Sequence, residues 1–292
     1  MRHKFVLVAL VLLVLLATPL LASHGWSNYH WPRSCSTCAA SITLYRSLTT
    51  TNTNWSDHLT KAVFGDPANP NTANRRGWND SAVLTLSITA GATDSTTRLN
   101  CPTVSSAVRV CNYTYGSNGW LGLAQINLIS GSSHIAWGKT KINDTYFNTG
   151  SYPLTEKRHV MCQEVGHDFG LGHTSENGSS QNTCMDYYRN TSGSDWTSTG
   201  PNQHDFDQLL TQHHYGAALP PAAFATMSFY SELPYSDEQM NEPWAWGTPM
   251  EFDRAGRPIV FRLDLDDQAV WTFVYWAADP YERPDRSDRL EK

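Results

Sequence analysis

An α+β domain is the fold class this sequence predicts. Three observations carry it. Segments alternating apolar and polar side chains recur through the first half of the chain, as half-buried strands do. Residues 156–169 read as a helix stopped by Gly170 and Gly172, and residues 201–215 as a second helix. Residues 259–265 and 270–277 alternate again and read as a β-hairpin. With 292 residues the chain is long enough for one or two domains and an ample core.

Taken in order, residues 42–48 are the first strand, and residues 56–64 (SDHLTKAVF) form a short helix opened by the capping residue Ser56. A two-proline loop at 65–74 precedes a second strand at 82–89 (AVLTLSIT) and a third at 104–112. The turn cluster at 115–119 leads into strands at 120–128 (WLGLAQINL) and 135–142. A break at 151–155 precedes the 156–169 helix, whose Glu156 suits the positive end of the helix dipole. Residues 178–200 read as loop. In the second helix Phe206, Leu209, Leu210 and His213 recur at helical spacing, giving one largely apolar face. Residues 217–249 are a Pro-rich linker or wrapping segment, 250–279 a small β-hairpin unit and 280–292 a charged tail.

Composition excludes several classes. Aromatics at 12 % are far too many for a disordered chain. A net charge of −6 argues against a nucleic-acid binder, and 16 % charged residues against a coiled coil. Residues 1–23 read as a signal peptide: a basic start at Arg2 to Lys4, an apolar run over 5–17, then Pro19 and small residues. That run rises only about 20 Å as a helix, short of a hydrocarbon core of about 30 Å. The expectation is a secreted monomer with no stable membrane insertion after cleavage.

Export makes disulfides the default for the six cysteines. Sequence proximity suggests Cys35–Cys38, Cys101–Cys111 and Cys162–Cys184, among about 15 connectivities. Cys35-Ser36-Thr37-Cys38 lacks the βαβ setting of a redox motif, and no second C-x-x-C exists for a four-cysteine zinc site. Six N-x-S/T sequons begin at Asn54, Asn79, Asn112, Asn143, Asn177 and Asn190, and chance explains most of them in a chain this rich in Asn, Ser and Thr.

The segment Gln163-Glu164-Val165-Gly166-His167-Asp168-Phe169-Gly170-Leu171-Gly172-His173 carries chemistry. Gln163 and His167 are one helical turn apart on one face, and Glu164 can overhang the same place. Gly170 lets the chain turn sharply, so His173 can swing back toward His167. Two imidazoles and an amide oxygen then converge beside a carboxylate.

This row resembles the metzincin zinc proteases and their motif H-E-x-x-H-x-x-G-x-x-H with a methionine turn. The Glu, second His, Gly and third His match in register, and Cys184-Met185-Asp186-Tyr187 resembles the turn, beginning eleven residues after His173. The likeness covers roughly residues 29–215, strongly only 160–187, and is matrixin-like. It implies a twisted mixed sheet, an active-site helix and a C-terminal helix, within 24–216. It also implies that residues 120–128 form the edge strand that pairs with peptide substrates. The Pro-Arg-Cys-Gly segment that holds some matrixins latent is absent.

The resemblance implies Zn²⁺ held by His167 and His173 above Met185, with Glu164 as general base in hydrolysis of a protein or peptide substrate. It extends to Tyr187 as a stabiliser of the transition state. Gln163 stands where the family has its first histidine ligand, and a neutral amide oxygen is the weaker donor. Three readings stand open: Gln163 binds zinc, another residue supplies the third ligand, or the site has lost zinc and activity. The first is favoured because Glu164, both histidines, the glycine and the Met turn survive together. His159 reads as a surface residue, His204, His213 and His214 as solvated or packing, His134 as structural, and Asp168 as a supporting residue or surface salt bridge. The expected function is a zinc endopeptidase, with a catalytically inactive secreted peptide-binding protein as its rival.

Overall fold

A computed structural model describes residues 28–129, 132–215, 233–266 and 268–277. The expected signal peptide, the charged tail and residues 217–232 of the expected linker lie outside the described residues, as does the side chain of His214. The strands are β1 (Ala40–Ser47), β2 (Leu84–Ala90), β3 (Ala107–Tyr113), β4 (Trp120–Ile129), β5 (Ile135–Asn143), β6 (Thr248–Phe252), β7 (Pro258–Asp264) and β8 (Gln268–Trp276). The helices are α1 (Trp55–Phe64), α2 (Ser95–Asn100), α3 (Asp144–Phe147), α4 (Leu154–His167) and α5 (Gln203–Tyr215). The class is therefore α+β, with one mixed eight-stranded sheet ordered β2-β1-β3-β5-β4-β8-β7-β6. β1, β2, β3 and β5 pair in parallel, while β4, β8, β7 and β6 join antiparallel.

One expectation about this architecture changes, and two open points gain a description. Residues 120–128 do not form an edge: β4 lies between β5 and β8, paired along its length with both. The C-terminal hairpin of β7 and β8 joins the main sheet, where β8 pairs with β4. Of the two alternatives for 217–249, the described part, residues 233–247, wraps the sheet, with Met240, Ala245 and Trp246 fully buried. α1 begins one residue earlier than expected, and its cap is Asn54, whose side chain accepts from Asp57 N–H. The short helices α2 and α3 were not expected.

Alternation assigns the sheet faces. Toward α4, Leu121, Ala124 and Ile126 of β4 meet Val160, Met161 and Val165 of the helix in the larger core. On the opposite face Trp120, Leu123, Trp137, Val270 and Val274 pack with Met240 and Trp246 of the wrapping segment. Two lysines of β5 point into this second layer and are fully buried. Lys139 Nζ meets Asp237 Oδ1 at 2.9 Å, and Lys141 Nζ donates to Asn241 Oδ1 at 2.6 Å. Buried cations need such partners, and these two tie the segment to the sheet. Burial lowers the Lys141 pKa well below its ordinary value, with Lys139 adding repulsion.

α4 ends two residues before the expected boundary, and Gly170 makes the turn out of it at φ 92°. Gly172 is not among the left-handed residues. In α5, Phe206, Leu209 and His213 face inward, but Leu210 is exposed. Three disulfides join Cys35–Cys38, Cys101–Cys111 and Cys162–Cys184, as sequence proximity suggested. Of the sequon residues, Asn112, Asn143 and Asn190 are buried. Among the described residues no helix is long and apolar enough to cross a membrane.

A Cβ at Gly170 would lie 2.3 Å from Tyr29 O, on a backbone already left-handed. Gly170→Ala is therefore expected to destabilise the fold by about 1–3 kcal/mol. An unchanged urea midpoint would show that this exit from α4 is not strained.

Candidate functional site

α4 is held between two surfaces, and each of its faces carries different chemistry. Toward the sheet the approach is close. A Cβ at Gly122 would lie 2.5 Å from Glu164 Oε1 and 2.6 Å from Val160 Cγ1, and one at Gly138 would lie 2.8 Å from Asp168 Oδ1. Glycine at both positions lets carboxyl groups meet strand backbone. Asp168 accepts from Thr140 Oγ1 at 2.7 Å and is fully buried, so it supports the helix exit and forms no surface salt bridge.

On the other side α4 meets residues 171–200. Cys162 is bonded to Cys184, and a Cβ at Gly166 would lie 2.4 Å from Met185 Sδ. Met185 is thus packed under the turn of helix that carries His167. Thr174 N–H donates to Met185 O at 2.7 Å and Tyr187 N–H to Ser175 O at 2.8 Å, so the segment after His173 runs beside the Met turn. Gln163 Nε2 donates to Asp186 O at 2.6 Å, leaving Gln163 Oε1 buried without a hydrogen-bond partner.

The imidazoles of His167 and His173 meet edge to face, centroids 4.7 Å apart and planes at 88°. His167 Nδ1 lies 2.7 Å from Leu171 O, and a carbonyl only accepts. Nδ1 therefore carries a proton, and in the neutral tautomer this defines, Nε2 is the nitrogen that could ligate a metal, as metal-binding histidines do. Both Glu164 oxygens are buried without hydrogen-bond partners. Burial raises the Glu164 pKa well above its ordinary value, and the Asp168 carboxyl adds to the shift.

Tyr187 lies beside His173, ring centroids 5.1 Å apart, but its hydroxyl accepts the Trp276 N–H at 3.2 Å. Burial raises its pKa. His159 is not on the surface. It is fully buried, with Nδ1 donating to Ser198 O at 2.7 Å and Nε2 3.9 Å from Asp186 Oδ1. Burial pushes His159 down to about 4 and Asp186 up to about 8, so both are driven toward neutrality. His213 is buried and His134 sits against His30, centroids 4.7 Å apart; His204 is half-buried.

Two features were not expected from sequence. Phe273 of β8 stacks flat on His167 at 4.3 Å, with planes 9° apart. The alternating aromatics Trp271, Phe273 and Tyr275 were the available signal. At the rim, His173, Glu176 and Glu251 bring ligand atoms within 4.8 Å of one another. Glu251 belongs to β6, and burial with the nearby Glu176 pushes it up to about 7. With β8 in place the site is closed: Gln163 and Glu164 are 0 % exposed, His167 1 % and His173 5 %.

No known protein-family model matches the chain, and no curated protein matches it.

Glu156 offers a pH test of the α4 environment. Its Oε2 accepts Asn190 N–H at 2.6 Å, and burial raises it from 4.5 to about 7. Between those values the unfolded chain loses the proton and the fold keeps it. The contribution to stability therefore falls as pH rises, by up to about 1.4 kcal/mol per unit. His159 acts in the opposite sense between about 4 and 6.5, so the difference between variants is the measure. Urea unfolding should show Glu156→Gln gaining on wild type from pH 4.5 to 7; a constant difference would contradict the buried carboxyl.

Proposed function

We propose that this chain is a secreted zinc-dependent endopeptidase of metzincin type. The observation that carries the reading is the meeting of His167 and His173 beside α4, above Met185, with Gln163 Oε1 and both Glu164 oxygens buried and lacking partners. Buried polar atoms normally find partners, and such exceptions mark places built for a ligand or reaction. The apolar N-terminal run and three disulfides support export.

The donor set fits zinc. His167 and His173 supply imidazoles, and Gln163 supplies an amide oxygen oriented by the bond from its own nitrogen to Asp186 O. A zinc ion held there would polarise a scissile carbonyl and acidify a water. Leu171 O keeps the His167 ring in its ligating tautomer. Glu164 takes the proton from the water and passes it to the leaving amine. Cys162–Cys184 and the Met185–Gly166 contact hold the floor beneath a ligand set whose amide is weaker than an imidazole.

The amide of Gln163, a weaker donor than an imidazole, favours a second reading, a secreted peptide-binding protein without catalysis. Metal content and one substitution separate the two. Purified protein should carry about one zinc per chain at this ligand set and hydrolyse a general protein substrate. Glu164→Ala should lower the rate by about 10²–10⁴, and a chelator should abolish it. A rate indifferent to both would reject the mechanism. Gln163→His should tighten zinc binding; unchanged affinity would remove Gln163 from the ligand set.

A further inference from the structure

We propose that the C-terminal hairpin is a built-in peptide mimic, with β8 lying along β4 where an extended polypeptide would bind, so that the chain in this conformation inhibits itself. This rests on the endopeptidase reading and adds the regulation of that site.

The argument begins with β4. Without β8 it would be an edge, with β5 on one side and a row of unpaired backbone groups on the other. Such an edge captures an extended peptide through main-chain bonds, with alternate side chains entering pockets. β8 does this antiparallel, from Trp120 opposite Trp276 to Ile129 opposite Gln268. Its odd-numbered aromatics face α4, and Phe273 covers the His167 ring. The Trp276 N–H occupies the Tyr187 hydroxyl, and Tyr275 Oη donates to Tyr188 O at 2.6 Å. One strand thus stacks on a histidine of the proposed ligand set, engages the tyrosine beside it and pairs with the side of β4 that β5 leaves free.

The closure also carries a cost. Glu164, against Gly122 of β4, keeps two buried oxygens without partners, and leaving buried polar groups unsatisfied is unfavourable. The peptide this strip fits is extended, with a bulky aromatic or aliphatic residue at every second position and one such side chain over His167.

The test uses the full chain. Phe273→Ala removes the ring from His167, and Thr272→Pro withdraws a backbone N–H from the sheet interior. Gln125→Cys with Thr272→Cys links β4 to β8 on the face away from α4, where Gln125 Nε2 already donates to Thr272 Oγ1 at 3.0 Å. Two readouts are taken: hydrolysis of a general protein substrate, and binding of a labelled, lysine-flanked peptide carrying residues 268–277. The two loosened variants should hydrolyse and bind at least tenfold better than wild type, and the cross-linked form at least tenfold worse. Equal rates and affinities across all forms would overturn the mimic while leaving the endopeptidase intact. Tighter peptide binding with no hydrolysis in any form would support the mimic and strike the endopeptidase. If the loosened variants unfold, hydrogen exchange on wild type decides: β8 amides should exchange at least tenfold faster than β5 amides, and equal protection would overturn the proposal.

Discussion

Helix α4 approaches the sheet at glycine distance, and the rest of the site depends on that approach. Gly122 and Gly138 leave room for Glu164 and Asp168 against β4 and β5, where any side chain on the strands would strike the carboxyl groups. Gly166 does the same on the opposite side, admitting the Met185 thioether beside the helix. The Cys162–Cys184 bond then ties the helix covalently to the Met turn. With three close contacts and one disulfide, α4 has little freedom to roll. The directions of Gln163 and His167 follow from packing rather than from any bond they make to each other.

That rigidity explains how the molecule tolerates so many polar groups near α4. Asp168, Glu156 and His159 are each buried, and each meets a specific partner: Thr140, the Asn190 amide and the Ser198 carbonyl. Burial pushes the acids up and the histidine down, so these groups are kept neutral and joined by hydrogen bonds. On the far side of the sheet the solution is one ion pair and one lysine bonded to an amide. Lys139 and Lys141 are buried under residues 233–247, and Asp237 and Asn241 answer them. The wrapping segment is held by those lysines as much as by Met240 and Trp246. A low-charge, aromatic-rich composition therefore conceals a few charges placed where their partners are fixed.

Most of the strands were legible because alternation is a local property. Residues 120–128, 135–142, 259–265 and 270–277 all read as strands, and strands they are. The disulfides were legible because each joins cysteines near in sequence. The α4 ends were less so, since Pro153 caps the helix without a side-chain bond and the turn at Gly170 comes only after Asp168 and Phe169. His159 was misread because its face is covered by the 186–198 loop, whose path leaves no periodic trace. The short helix α3 depends on Asn143 accepting from Thr145 N–H, a cap indistinguishable by residue type from many other asparagines in this chain. The convergence of Gln163, His167 and His173 was legible as spacing, whereas the Phe273 ring over it was not.

The reason is general and bears on what closes the site. A period of two tells which face of a strand is apolar, but not which strand lies beside it. β4 shows the same pattern whether its neighbour is an incoming peptide or β8. Once the hairpin is tethered to the same chain, the competition is unequal, because a linked segment presents an effective concentration of order millimolar. A free peptide at micromolar concentration prevails only if β8 is held less well than its length suggests. One feature bears on that hold: against Gly122 of β4, both Glu164 oxygens stay buried without hydrogen-bond partners. An arrangement that keeps a carboxyl without partners against β4, the strand that β8 pairs with, holds a polar cost inside the closed state.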